Sequence, residues 1–339
     1  MRAKLSLLFP LLIAFGLLSG AAPALASPIY NNNGPVMSGP NSVYFIFYGN
    51  WSGNSATTLL PNFISNLSGS TYMNILSSYN RPGTYPNFST QVSLGGSLLI
   101  NSTTNSNLYQ GTNLDGTPGS NAAASIYGIV NAVLAGGGFS GYNPASSVFD
   151  VLTTTDTTVS GFQTSFCGWH YSTKINQLTT GTQYGFIGDP TGVNNGCQTS
   201  TQAIGPSGNA GADAMASVIA HEFFETVTDP TGMSWFDSTS PVGGGNTGGY
   251  ENGDMCNFNF GSNLTLNANG SYSNVTLNNT NYLLQEQWLN QGGGINYSGG
   301  ACVTSLAFAT STPEPPALAL LLPALAALGL IRARRRAPA

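Results

Sequence analysis

Short blocks of apolar residues alternate with polar, glycine-rich stretches along the chain, and their spacing predicts interleaved strands and helices. Val43–Tyr48 is a continuous aromatic and β-branched run, the pattern of a strand buried on both faces. Val148–Thr153 and Tyr184–Ile187 read the same way. Asn54–Leu67 places Leu59, Leu60, Phe63, Ile64 and Leu67 at helical spacing, with Pro61 expected in the first turns. Thr71–Tyr79 reads as a short helix, and Gln91–Asn101 as a strand or a hairpin centred on Gly95-Gly96. Ala122–Leu134 is a helix stopped by Gly136-Gly137-Gly138. Asn263–Gln291 alternates like strands, most clearly over Asn281–Leu289. With no internal repeat and no clear linker, this order predicts a single three-layer or α+β domain with a mixed sheet.

One stretch carries chemistry as well as pattern. Ala216–Pro230, ASVIAHEFFETVTDP, predicts a long helix that stops at Asp229-Pro230. Positions four apart share a helix face, so His221 and Glu225 point the same way, with Glu222 about 100° round the axis. HExxH zincins use this arrangement, with a second histidine where this chain has Glu225. Glu251 and Asp254 follow 26 and 29 residues beyond Glu225, a spacing comparable to that of the downstream carboxylate in thermolysin-type enzymes. The expected site is a divalent cation, zinc or alternatively calcium, on His221, Glu225 and one of Asp254 or Glu251. Glu222 is the expected general base for a bound water. The expected fold is therefore a single zincin-like domain built around this helix.

Charge sharpens the expectation. Between Ser27 and Thr312 only Arg81 and Lys174 are basic, against twelve acidic side chains. Seven of those twelve lie between Asp213 and Asp254, and such a cluster favours a cation as partner. Nucleic-acid binding needs a basic footprint, which this chain lacks. Charged residues are 6% of the chain, while 41% apolar and 11% aromatic content argues against disorder.

The ends and the cysteines set the compartment. Arg2 and Lys4, the apolar run Leu5–Leu18 and the Ala24-Leu25-Ala26 site make residues 1–26 a signal peptide, cleaved before Ser27. The folded domain is expected over 27–305 and a short linker over 306–312. Thr312-Pro313-Glu314-Pro315, the apolar run Pro316–Ile331 and the arginines 332–336 follow. This order, over 313–337, resembles the PEP-CTERM sorting signal of Gram-negative bacteria. The resemblance implies an exosortase-type partner, transient anchoring through this segment alone, and delivery to the envelope or extracellular matrix. Four cysteines in an exported chain favour two disulfides, and the local pairing Cys167–Cys197 with Cys256–Cys302 leaves the long helix free.

The other histidine, His170, lies in Phe166-Cys167-Gly168-Trp169-His170, where a lone histidine beside an aromatic reads first as a packed residue. The order of motifs adds to this. Gly34-Pro35-Val36, Tyr44–Trp51, Cys167-Gly168-Trp169-His170, Ser217–Glu222 with Glu225, Asp229-Pro230, Gly253-Asp254-Met255-Cys256, Gln287-Trp288 and Cys302 together resemble the EXORDIUM-like, or phosphate-induced protein 1, family. The resemblance spans Tyr30–Cys302 and brings His170 in as a further ligand candidate, because the CGxH piece accompanies the His221-Glu222 helix. It implies a secreted protein with cell-wall or apoplastic roles and carries no catalytic residue over. Two readings follow: a metallohydrolase acting on peptides, or a non-catalytic surface protein with a structural cation that meets envelope polysaccharide.

Overall fold

A computed structural model describes residues 29–80, 87–174, 177–192, 196–199, 204–237, 250–291 and 299–307. The segments read as a signal peptide, 1–26, and as a sorting segment, 313–337, lie outside the described residues. No helix among the described residues is long and apolar enough to cross a membrane.

Five strands make the central sheet: β1 (Asn41–Tyr48), β2 (Val92–Ile100), β3 (Ser147–Thr153), β4 (Gly168–Ser172) and β5 (Gln183–Gly188). Their order is β2-β1-β3-β5-β4, parallel except for the antiparallel β5–β4 pair. The apolar runs over β1, β3 and β5 are buried on both faces, as parallel strands covered by helices require. Gln91–Asn101 resolves as one strand. Its register against β1 shifts where Val43 pairs with Leu94 and Tyr44 with Gly96, so Gly95 is a bulge and not a hairpin turn.

Helices α1 (Ala56–Leu67) and α3 (Ala210–Thr228) cover one face of the sheet, and α2 (Ile126–Ala135) covers the other. Period-two alternation divides each strand between the two cores. Val43, Phe45, Phe47, Leu152 and Ile187 pack under α1 and α3. Tyr44, Ile46, Phe149, Val151, Tyr184 and Phe186 pack on α2. The α+β body is thus three layers deep. Pro61 sits in the second turn of α1, within the first turns as expected, and the short helix expected over Thr71–Tyr79 is a 3₁₀ helix over Met73–Tyr79.

A fourth group of elements closes over α3 from the C-terminal side. Strands β6 (Gln287–Gln291) and β7 (Gly299–Val303) pair antiparallel, and the Tyr79 hydroxyl donates to the Trp288 carbonyl at 2.6 Å. Asn281–Leu289 is not one strand. Pairing runs over Thr280–Tyr282 and resumes at Gln287, and the backbone between turns Gln285 back onto α3, where its N–H meets Ser217 Oγ at 2.9 Å. The expected disulfides are both present: Cys167–Cys197 and Cys256–Cys302.

Candidate metal centre

Helix α3 is the element that brings the site together. Its start is set by Asn209, whose side chain accepts from the Ala212 N–H at 3.0 Å. Its end is set at Asp229, whose N–H bonds Glu225 O at 2.6 Å, before Pro230. Asp229 Oδ1 then accepts from the Met233 and Ser234 N–H groups at 2.6 Å each, which turns the chain. The helix is buried along most of its length, so the sheet and the C-terminal elements fix the direction of each side chain.

Three further segments converge on it. On β4, Trp169 faces α2, so Gly168 and His170 face α3. A Cβ on Gly168 would stand 2.5 Å from Val218 Cγ1, so glycine is what lets the strand approach the helix. The loop at 250–256 crosses the same face, where a Cβ on Gly253 would stand 2.8 Å from both Glu225 Oε1 and the His221 ring. Gln285 completes the ring around His221. Its Oε1 accepts from the Phe258 N–H at 3.0 Å and its Nε2 donates to Gly253 O at 2.8 Å, with Nε2 3.0 Å and Oε1 3.3 Å from His221 Nδ1.

All the residues singled out in the sequence meet here. His221 Nε2 lies 3.1 Å from Glu225 Oε1 and 3.7 Å from Asp254 Oδ1. His170 Nε2 lies 3.2 Å from Glu251 Oε2 and 3.6 Å from Glu225 Oε2. The Asp254 N–H donates to Glu225 Oε1 at 3.0 Å. Glu251 and Asp254 are therefore not alternatives for one position. Asp254 stands with His221, and Glu251 stands with His170. Glu222, expected only as a base, turns toward the sheet, within reach of both His170 and Glu225.

Two ligand sets are within reach of a cation. His221, Glu225 and Asp254 form one, and His170, Glu222 and Glu225 the other, each with its donor atoms within 4.8 Å of one another. A tetrahedral ion with bonds of about 2.1 Å holds its ligand atoms about 3.4 Å apart. The 3.1 and 3.7 Å spacings around His221 bracket that distance.

Without a cation, the electrostatics favour protons on some members of the cluster and not on others. Burial would depress His221, but the charge of Glu225, its hydrogen bond, and the charges of Glu222 and Asp254 outweigh burial and hold the imidazolium. Burial also opposes ionisation of Glu225, yet His221, His170 and the Asp254 N–H keep it ionised. Glu222 and Glu251 are pushed well above the usual carboxylate range, chiefly by burial, with neighbouring carboxylates adding to it. His170 is held below the usual imidazole range by burial. Behind Glu251 lies Asp229, pushed up to about 7 by burial and hydrogen-bonded to Glu251. Asp229 Oδ2 and Glu251 Oε1 are both buried without a donor among the described residues, and a proton on this carboxyl pair would satisfy them. Among the described residues the one Lys or Arg is Lys174, which is exposed.

The cluster forms the floor of a cleft of about 520 Å³ whose walls include Phe166, Phe258 and Phe260. Phe258 is 46% exposed at the cleft. Trp235 is fully buried against Tyr79 and is not among the described residues that line this cleft. Both disulfides frame it. Cys167 precedes β4, and Cys256 ties the 250–256 loop to β7.

Gln285, Asp229 and the buried Asp150 were missed as site residues by the sequence reading. Asp229 was read only as a helix stop, and Gln285 as part of a strand. No spacing signal marks Asp150, which reaches Glu222 only because β3 passes beneath α3.

Comparison with known proteins agrees with the motif order. A family model described as "Phosphate-induced protein 1 conserved region" matches residues 29–292. Protein EXORDIUM-like 3 of Arabidopsis thaliana is 26% identical over 260 residues, covering 72% of each chain. Protein EXORDIUM-like 5 of the same plant is 25% identical over 247 residues, covering 68% of this chain and 64% of its own. The match takes in every segment that builds the cluster, and the chain belongs to the phosphate-induced protein 1 family.

Proposed function

We propose that this protein is a metal-dependent hydrolase of the exterior, with a divalent cation held by His221, Glu225 and Asp254. The observation that carries the reading is the cluster itself: four buried or half-buried carboxylates and two imidazoles at the floor of a cleft, with no Lys or Arg among its lining residues. Carboxylates at this density are stable together only with protons or a cation between them. Zinc suits the imidazole and carboxylate donors at these spacings, and calcium is the alternative for a more oxygen-rich set.

A bound divalent cation lowers the pKa of water toward neutrality and polarises a carbonyl. The chain's own part is to hold and move protons around it. Glu222 lines the same cleft; once a cation's charge offsets its burial and releases its proton, its carboxylate would be placed to take a proton from water and pass it on. Gln285 fixes the His221 ring. Glu251 meets His170 Nε2 at 3.2 Å, and Asp229 in turn holds Glu251. Phe166, Phe258 and Phe260 offer an apolar wall to an uncharged chain, and the acidic floor disfavours polyanions. A peptide is therefore the proposed substrate.

The exported location belongs to the same proposal. The Ala24-Leu25-Ala26 site supports it, and two disulfides fit an oxidising compartment. The sorting tail at 313–337 would hand the chain to an exosortase-type enzyme in the envelope of a Gram-negative bacterium. There, envelope polysaccharide is a neighbour.

The test is turnover of a mixed fluorogenic peptide library by the purified mature protein. Activity should vanish with chelator, return with zinc, and be absent in His221→Ala. A cation-loaded protein that cleaves nothing would leave the cation structural and defeat the hydrolase reading.

A further inference from the structure

Glu225 is shared between two ligand sets, and it is shared one oxygen at a time. Oε1 lies 3.1 Å from His221 Nε2, while Oε2 lies 3.6 Å from His170 Nε2. A carboxylate whose two oxygens serve two different histidines has the geometry of a bridge between two ions. The second set is His170, Glu222 and Glu225.

An independent observation marks the second position. Glu222 as a residue is only 7% exposed, its carboxyl opens into the cleft, and no described residue donates a hydrogen bond to it. Among its neighbours only His221 favours its charge, without a hydrogen bond, while Glu225, Asp254 and Asp150 repel it. It faces the cleft beside His170, with Gly168 leaving room above it.

We propose that the centre is dinuclear: a second divalent cation binds His170, Glu222 and Glu225, with Glu225 bridging it to the cation at His221 and Asp254. This rests on the metal-dependent reading above and deepens it. In the one-cation form Glu222 is free to act as a base. In the two-cation form it is a ligand, and water between two cations about 3.5–4 Å apart is activated by both. Glu251 Oε2, 3.2 Å from the same His170 Nε2, then gives up that contact to the cation and stands beside it as a further carboxylate.

Stoichiometry tests this directly. The purified mature protein is stripped with chelator, reloaded with zinc or with manganese, and counted by mass spectrometry of the metal. Wild type should hold two ions per chain. Glu222→Gln, which is nearly isosteric, and His170→Ala should each hold one. The manganese form should give the electron paramagnetic resonance spectrum of an exchange-coupled pair. Saturation at one ion per chain, or an unchanged ion count in Glu222→Gln, would overturn the second site and leave the first. No bound ion at all would overturn both. The wild-type count and spectrum stand even if a variant fails to fold.

Discussion

Glu225 Oε1 and His221 Nε2, four residues apart on α3, lie 3.1 Å from each other, and the Asp254 N–H reaches the same oxygen at 3.0 Å. One carboxylate thus ties the helix to the loop that carries Asp254, besides facing His170. Glu225→Gln keeps the shape and removes the charge. It should weaken cation binding by more than the roughly 10–100-fold that loss of a supporting residue produces. Calorimetric titration checks this, and an affinity within threefold of wild type would remove Glu225 from the ligands.

Gln285 holds His221 Nδ1 while its own two ends are fixed on Phe258 and Gly253. Gln285→Ala should cost about 10–100-fold in cation affinity and leave the fold intact, because the residue orients the ring and does not ligate. Unchanged affinity at unchanged melting temperature would contradict this.

Gly253→Ala adds a methyl group 2.8 Å from both Glu225 Oε1 and the His221 ring. Overpacking of this kind costs about 1–3 kcal/mol. Here it should also displace the 250–256 loop, so melting temperature and cation binding fall together. Loss of stability with full cation binding would show that the loop adjusts without moving Asp254.

Much of this centre could be read before the structure, and the reason is local. The spacing of His221, Glu222 and Glu225 is fixed by the pitch of one helix, and the Asp229-Pro230 stop is written in adjacent residues. The pairing of Cys167 with Cys197 followed from nearness in sequence. Glu251 and Asp254 were visible as acids, but their division between the two histidines depends on how Gly253 lets the loop lie. Gln285 was hidden because alternation in NYLLQEQWL matches a strand, and only packing against Ser217 breaks it. Asp150 arrives from the neighbouring layer. The three-layer arrangement was similarly open, since apolar runs announce buried strands without giving their order.

Acidity should matter in two distinct ways. Cation uptake must displace the proton of His221, and that of Glu222 where it ligates, so affinity should rise with pH and protons should be released on binding. A pH indicator in weakly buffered solution reads the release. Uptake with no proton released would contradict the protonated, cation-free cluster.

Asp150 gives a pH signature in stability. Burial pushes its pKa up to about 7. Below about pH 4 folded and unfolded chains both hold the proton. From there to about 7 the unfolded chain releases it and the folded chain keeps it, so rising pH removes stability. Asp150→Asn lacks that loss. Its stability relative to wild type should grow by on the order of 3 kcal/mol between pH 4 and 8 in urea unfolding. A difference that stays flat with pH would contradict an Asp150 that remains protonated in the folded chain.

The central claim is that His221 and its neighbours hold a cation. Metal content of the purified mature protein, wild type beside His221→Ala, tests it most directly. Wild type should carry bound divalent metal after extensive dialysis, and His221→Ala should lose the ion that His221 and Asp254 share. Equal metal content in the two proteins would contradict the claim.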